Sequence, residues 1–136
     1  MRRIAAVLLF LTALSCASAR QGDARAAMSG FMDALNNLDL ERITSHFAED
    51  ATAFFPVVKA ERVDGKSAIT AVFRDYVAAN TKKTNIVPED LHVTQSGNVA
   101  VVTFYVHNPS AVSRRTFVWR NEGGTWRIIH MHASNK

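Results

Sequence analysis

The sequence predicts an α+β fold, with three N-terminal helices packed on a curved antiparallel sheet, on three observations. Apolar residues recur at three- and four-residue spacing through the first half of the chain, the period of helices buried on one side. From about Asn85 onward the pattern changes to β-branched and aromatic runs separated by glycine-bearing turns, the pattern of a strand meander. Helices followed by strands, rather than alternating with them, is the α+β order. No repeat, low-complexity tract or linker interrupts the 136 residues, so one domain with a single core is expected.

The elements follow in order. Between Gly22 and Asn37, the residues Ala27, Met28, Phe31, Leu35 and Leu38 mark one face of a first helix. Asp39 is placed to cap a second, short helix carrying Leu40, Ile43 and Phe47. Ala51–Phe55 reads as a short strand stopped by Pro56, and Val57–Asp64 reads as loop. A third helix after Gly65 carries Ile69, Val72, Phe73, Tyr76 and Val77. Strands are expected over 85–95, 99–107, 113–121 and 125–133, with turns at Ser96-Gly97-Asn98 and Gly123-Gly124 and a longer connection over 107–112. Three helices beneath the hollow of such a sheet would form a cone.

Residues 1–19 have a different character. Arg2 and Arg3 precede an apolar run from Ile4 to Leu14, and Ala17-Ser18-Ala19 supplies small residues. This is the pattern of an export signal cleaved after Ala19, so residues 20–136 are the expected mature domain, periplasmic or secreted. The apolar run is too short for a stable membrane span. Cys16 is a weaker candidate for lipidation, because Leu14 stands one position too close to it for the usual attachment pattern. It is also the chain's only cysteine, so the mature domain is expected to lack disulfides and thiol chemistry. Removing the two leader arginines lowers the formal charge from +4 to +2. The remaining basic residues are scattered apart from the pairs Lys82-Lys83 and Arg114-Arg115, a poor footprint for nucleic acid.

The C-terminal third carries Arg115-x-x-x-Trp119, then Gly124-x-Trp126-Arg127-Ile128-Ile129-His130-x-His132-x-Ser134. Phe47-Ala48-Glu49-Asp50-Ala51, Pro56 and Gly65-Lys66-x-x-Ile69-x-x-x-Phe73 precede it. With these motifs the chain resembles the SnoaL-like branch of the nuclear-transport-factor-two-like superfamily, and it is similar to the association domain of calcium/calmodulin-dependent protein kinase II. The resemblance implies a cone with a pocket. It does not imply one activity, because this fold hosts isomerases, dehydratases, cyclases, hydrolases, ligand binders and assembly modules. The association domain carries pocket arginines at the positions of Thr103, Phe117 and Ala133, and this sequence has none of the three.

That comparison places Thr103, Tyr105, His107, Arg115, Phe117 and Trp119 on the pocket side. Tyr105, His107 and Arg115 are then the candidate catalytic groups: a phenol, a base that titrates near neutrality, and a fixed charge. Thr103, Phe117, Trp119, Met131 and Tyr76 are the candidate ligand-binding residues. Arg115 either reaches water from a strand end or needs a carboxylate, with Asp33, Asp50, Asp90 or an anionic ligand available. Strand alternation sets Ile129, Met131 and Ala133 against Trp126, Ile128, His130 and His132. The pair His130 and His132 suits structural hydrogen bonding better than metal, and no cofactor is expected. His46 and His92 read as surface positions. Phosphate-binding glycine loops, nucleophile elbows and dinucleotide fingerprints are missing from the sequence. The expected function is cofactor-independent isomerisation, dehydration, cyclisation or hydrolysis of a small apolar or aromatic molecule; the alternative is a non-catalytic module for small-ligand binding or oligomeric assembly. Both faces of the sheet are largely apolar, which suggests a homodimer.

Overall fold

The computed structural model describes residues 17–57 and 61–136. The charged start and apolar run of the expected leader, and Cys16, lie outside the described residues. No described helix is long and apolar enough to cross a membrane.

Helix α1 (Ala17–Asn36) buries Ala24, Met28, Phe31, Met32 and Ala34. Leu38, read as the end of its apolar stripe, instead terminates it. Its φ of 57° puts it in the left-handed region. Leu38 N–H donates to the Leu35 carbonyl at 3.1 Å and Asp39 N–H to the Ala34 carbonyl at 3.0 Å, a Schellman closure made without glycine. Asp39 caps α2 (Leu40–Ser45) as expected, accepting from the Arg42 N–H at 3.0 Å.

Phe47 does not continue α2. It opens β1 (Phe47–Phe54), four residues ahead of the expected strand, because its backbone pairs beside Ile128 of the last strand. The expected loop contains a two-residue strand, β2 (Val63–Asp64), paired with Thr52 and Ala53. Helix α3 (Lys66–Ala79) follows Gly65, whose φ of 86° a side chain would strain. The remaining strands are β3 (Glu89–Ser96), β4 (Val99–Asn108), β5 (Ala111–Glu122) and β6 (Thr125–Asn135).

Two expectations are corrected here. Only α1 and α2 precede the sheet; α3 is inserted between β2 and β3. The sheet is curved, unclosed and mixed rather than antiparallel, in the order β2-β1-β6-β5-β4-β3, with β1 parallel to β6. The chain enters β1 from a helix, so no hairpin forces it antiparallel to its neighbour. The core fills the space between the helices and the inner sheet face, around Phe31, Phe47, Ile69, Val102, Trp119 and Ile128.

His46 is not the surface residue expected. Its ring meets Phe31 edge-on at 5.8 Å and Trp119 edge-on at 6.3 Å, and Nδ1 donates to the Arg42 carbonyl at 2.7 Å. Burial pushes its pKa below the ordinary value near 6.5, the Arg42 bond opposes this, and the charges of Arg127 and Arg42 reinforce it. His130 shifts the same way, through burial and then the charges of His132 and Arg62. Both rings take up protons more readily in the unfolded chain. Their stabilisation is therefore intact above the unfolded pKa and is lost as pH falls through the lower folded values. Melting temperature should fall as pH drops below the ordinary histidine value near 6.5. His46→Gln, which keeps a donor for Arg42, should flatten part of that slope. An unchanged slope in the variant would show that His46 does not carry it.

Candidate functional site

Helices α1 and α3 and the inner sheet face enclose a cavity of about 590 Å³. Helix α1 contributes Phe31, Met32 and Leu35, and α3 contributes Val72, Phe73, Asp75, Tyr76 and Ala79. The sheet supplies Phe104 and Val106 from β4, Arg115 and Phe117 from β5, and Met131 and Ala133 from β6. Phe55, Pro56 and the exposed Val57 edge it after β1.

Ile86 reaches the cavity because of a side-chain clamp. Asn36, the last residue of α1, accepts from the Ile86 N–H at 2.7 Å and donates to the Ile86 carbonyl at 3.0 Å. It also accepts from the Thr84 hydroxyl at 3.1 Å. This clamp holds part of the segment expected as the start of β3, which begins only at Glu89.

Cross-strand pairing decides which side chains face inward. Phe104 pairs with Arg115, Val102 with Phe117 and Ala100 with Trp119. Arg115, Phe117 and Trp119 do share the inner face, but Thr103, Tyr105 and His107 do not. They lie on the outer face, where Thr103 pairs with Thr116, and Tyr105 and His107 are substantially exposed. Tyr105 and His107 sit together there, with ring centroids 6.4 Å apart, and His107 Nδ1 lies 3.0 Å from Glu89.

The turn that sets this register was readable. Asn108 pairs with Ala111 across Pro109-Ser110, and Asn108 Oδ1 accepts from the backbone N–H groups of Ser110 and Ala111. Asn followed by Pro is a tight-turn signature. Counting back from it sets Phe104 opposite Arg115.

A second correction concerns β6. The pairing moves from Val118–His130 to Trp119–Ile128, leaving Ile129 as an extra residue. This bulge reverses the side-chain alternation. Trp126 and Ile128 turn inward with Met131 and Ala133, while His130 and His132 face outward. His130 Nδ1 lies 2.7 Å from the Thr52 hydroxyl, and both rings pack on Phe54. Among the described residues, no third histidine, cysteine or acid joins them to make a metal site.

Of the sequence candidates, Arg115, Phe117, Met131 and Tyr76 line the cavity. Trp119 is fully buried behind Phe117, at 6.4 Å, and does not line it. Asp75, Phe104 and Val106 line it without having been singled out. Asp33 and Asp50, considered as partners for Arg115, pair with Arg42 and Arg120. Arg115 has no carboxylate within 4.0 Å among the described residues, and its Nη1 is buried without a hydrogen-bond partner. Burial pushes its pKa below the ordinary arginine range, with the Tyr76 phenol opposing the shift.

Known structures share this architecture. An NTF2-like protein of unknown function from Pseudomonas putida KT2440 is 26% identical, with a TM-score of 0.78 over 87% of each chain. A proposed dehydratase of the NTF2-like family from Streptomyces avermitilis is 18% identical, with a TM-score of 0.74 over 87% of this chain and 97% of that one. A proposed calcium/calmodulin-dependent protein kinase type II association domain from Thiobacillus denitrificans is 21% identical, with a TM-score of 0.69 over 82% and 94%. No curated protein matches the chain. The SnoaL-like domain profile matches residues 24–135, nearly all that the structure describes, and the chain belongs to that family.

Proposed function

We propose that this protein binds a small apolar or aromatic molecule in the cone. The observation that carries the reading is the cavity: about 590 Å³, walled by aromatic and aliphatic side chains, with Arg115, Asp75 and Tyr76 as the only ionisable side chains among the described residues that line it. Size and lining are those of a small-molecule site. The test is thermal denaturation of the full chain against phenols, polycyclic ketones and carboxylates, beside an Ala133→Trp variant that fills the cavity. A ligand at a hundred times its dissociation constant adds about 2.7 kcal/mol, a shift of several degrees. That shift should vanish in the variant. A panel without any shift, or shifts that persist in Ala133→Trp, would remove the reading.

Catalysis in the same cavity is the second reading: cofactor-independent isomerisation, dehydration, cyclisation or hydrolysis. Asp75, Tyr76 and Arg115 favour it, since they offer a carboxylate, a phenol and a fixed charge to one ligand. The likeness to the Streptomyces protein adds to it. Tyr105 and His107 would take no part from the outer face.

Two further properties belong to the proposal. The outer sheet face carries Val101, Val118, Phe54 and a 41% exposed Tyr105, and a second copy of the chain would cover it. The leader pattern of residues 1–19 supports export. Expression in a bacterium tests both: intact mass should show loss of residues 1–19, and light scattering should give twice the chain mass. An uncleaved chain would remove export, and a monomer would remove the dimer.

A further inference from the structure

We propose that the ligand is an organic monocarboxylate, its apolar body in the cone and its carboxylate on Arg115. This deepens the binding reading and rests on it. A guanidinium does not lose its proton at any physiological pH, so it cannot escape burial by neutralising itself. Arg115 is half-buried, and a buried guanidinium nitrogen without a partner is unfavourable, so folds place such groups beside a counter-ion or an acceptor. Arg115 has none among the described residues. Its Nη1 is both buried and without a hydrogen-bond partner, and the ionisable neighbour acting on it is the Tyr76 phenol, not a carboxylate. The missing partner is an anion that arrives with the ligand.

The surroundings narrow its class. Arg115 stands between Phe104 on β4 and Ala133 on β6, with Phe104 stacked on Phe117 at 5.7 Å. These rings and Met131 offer contact area but no hydrogen bonds, so the rest of the ligand is apolar. A planar fork of N–H donors matches a carboxylate in two parallel bonds, and the Tyr76 hydroxyl can add a third. Arg115 is the only cation in the described wall, whereas Asp75 is an anion there. A second carboxylate on the ligand would find no second cation in the described wall and would lie toward Asp75, an exposed carboxylate at its edge. One negative charge fits and two do not. Arg115 is also not one of the three positions at which the association domain carries its pocket arginines, so the anion would sit at a different place on the sheet.

Calorimetric titration of the full chain with decanoate, decanol, decylammonium and sebacate, each kept below its micelle-forming concentration, tests this. Decanoate should bind at least tenfold more tightly than decanol and sebacate, and decylammonium should not bind. Arg115→Met should lose at least tenfold for decanoate and change decanol less than threefold. Arg115→Lys, which keeps the charge and loses the fork, should fall between wild type and methionine. Equal binding of decanoate and decanol, or full decanoate affinity in Arg115→Met, would overturn the carboxylate and leave the apolar site standing. Failure of decanoate and decanol alike would overturn both. A variant that loses decanol together with decanoate would show Arg115 to be structural and overturn its role as the anion's partner.

Discussion

Trp119→Ala should cost about 3–5 kcal/mol, the range for removing a large aromatic side chain from a core. Domains of this kind hold about 5–15 kcal/mol in total, so the variant should melt on the order of 10 °C lower or fail to accumulate. The cause is position. Trp119 is the largest fully buried side chain, with 0% exposure. It lies between Ala100 and Ile128 across the sheet, stacks on Phe117 and meets His46 edge-on. No surrounding group is free to collapse into the space it would leave, because two strands, a helix cap and a second ring already fill the positions around it. The indole Nε1 has no hydrogen-bond partner, so the residue is retained for volume and not for its donor. Trp119→Phe should therefore cost less than half as much as Trp119→Ala, since it keeps a ring and removes an orphaned N–H. Urea denaturation followed by the fluorescence of Trp126 measures both. Equal costs would show that the indole donor, not its bulk, matters.

How far the sequence could be read depended on which signals are local. The stripe Met28, Phe31, Leu35, the Asp39 cap and the glycine turns are local, and each element they mark exists. The face of β4 that lines the cavity is not a local property. Alternation divides β4 into two sets, but Val99 and Val101 make the outer set nearly as apolar as the inner, so hydrophobicity did not choose between them. The Asn108-Pro109 turn could have chosen, because it fixes Phe104 opposite Arg115. The likeness to the association domain made the choice instead, through its pocket arginines, and it left Thr103, Tyr105 and His107 on the wrong side. The bulge at Ile129 gave no signal at all: no glycine or proline marks it, and the change of face appears only in the pairing with Val118 and Trp119. The parallel β1–β6 pair was hidden for a similar reason, since it joins segments about eighty residues apart. Arg115 stood out because a charge amid Phe117, Trp119 and Met131 conflicts with its surroundings whichever way the strands are paired, and it lines the cavity.

Phe31→Ala is expected to cost about 3–5 kcal/mol and, unlike Trp119→Ala, to be partly repaired by a ligand. Phe31 is 1% exposed and touches the rings of His46, Phe47, Phe73 and Phe117 at centroid distances of 5.3–6.2 Å. It also lines the cavity. Truncating it would therefore not leave a sealed void; it would enlarge an existing space toward the core. An apolar enclosure of that kind stays dry and accepts hydrocarbon guests. Toluene or a larger aromatic at a hundred times its dissociation constant would return about 2.7 kcal/mol, most of the loss. Trp119→Ala opens no space onto the cavity because Phe117 stands between them, so the same guest should leave it unrepaired. Melting curves of the two variants with and without guest separate the cases. Selective rescue of Phe31→Ala would show that the wall of the binding site and the core of the domain are one packed structure, with ligand affinity and stability drawing on the same contacts. Rescue of both variants would mean that Phe117 does not divide cavity from core as the structure has it, and rescue of neither would mean that truncating Phe31 does not extend the cavity.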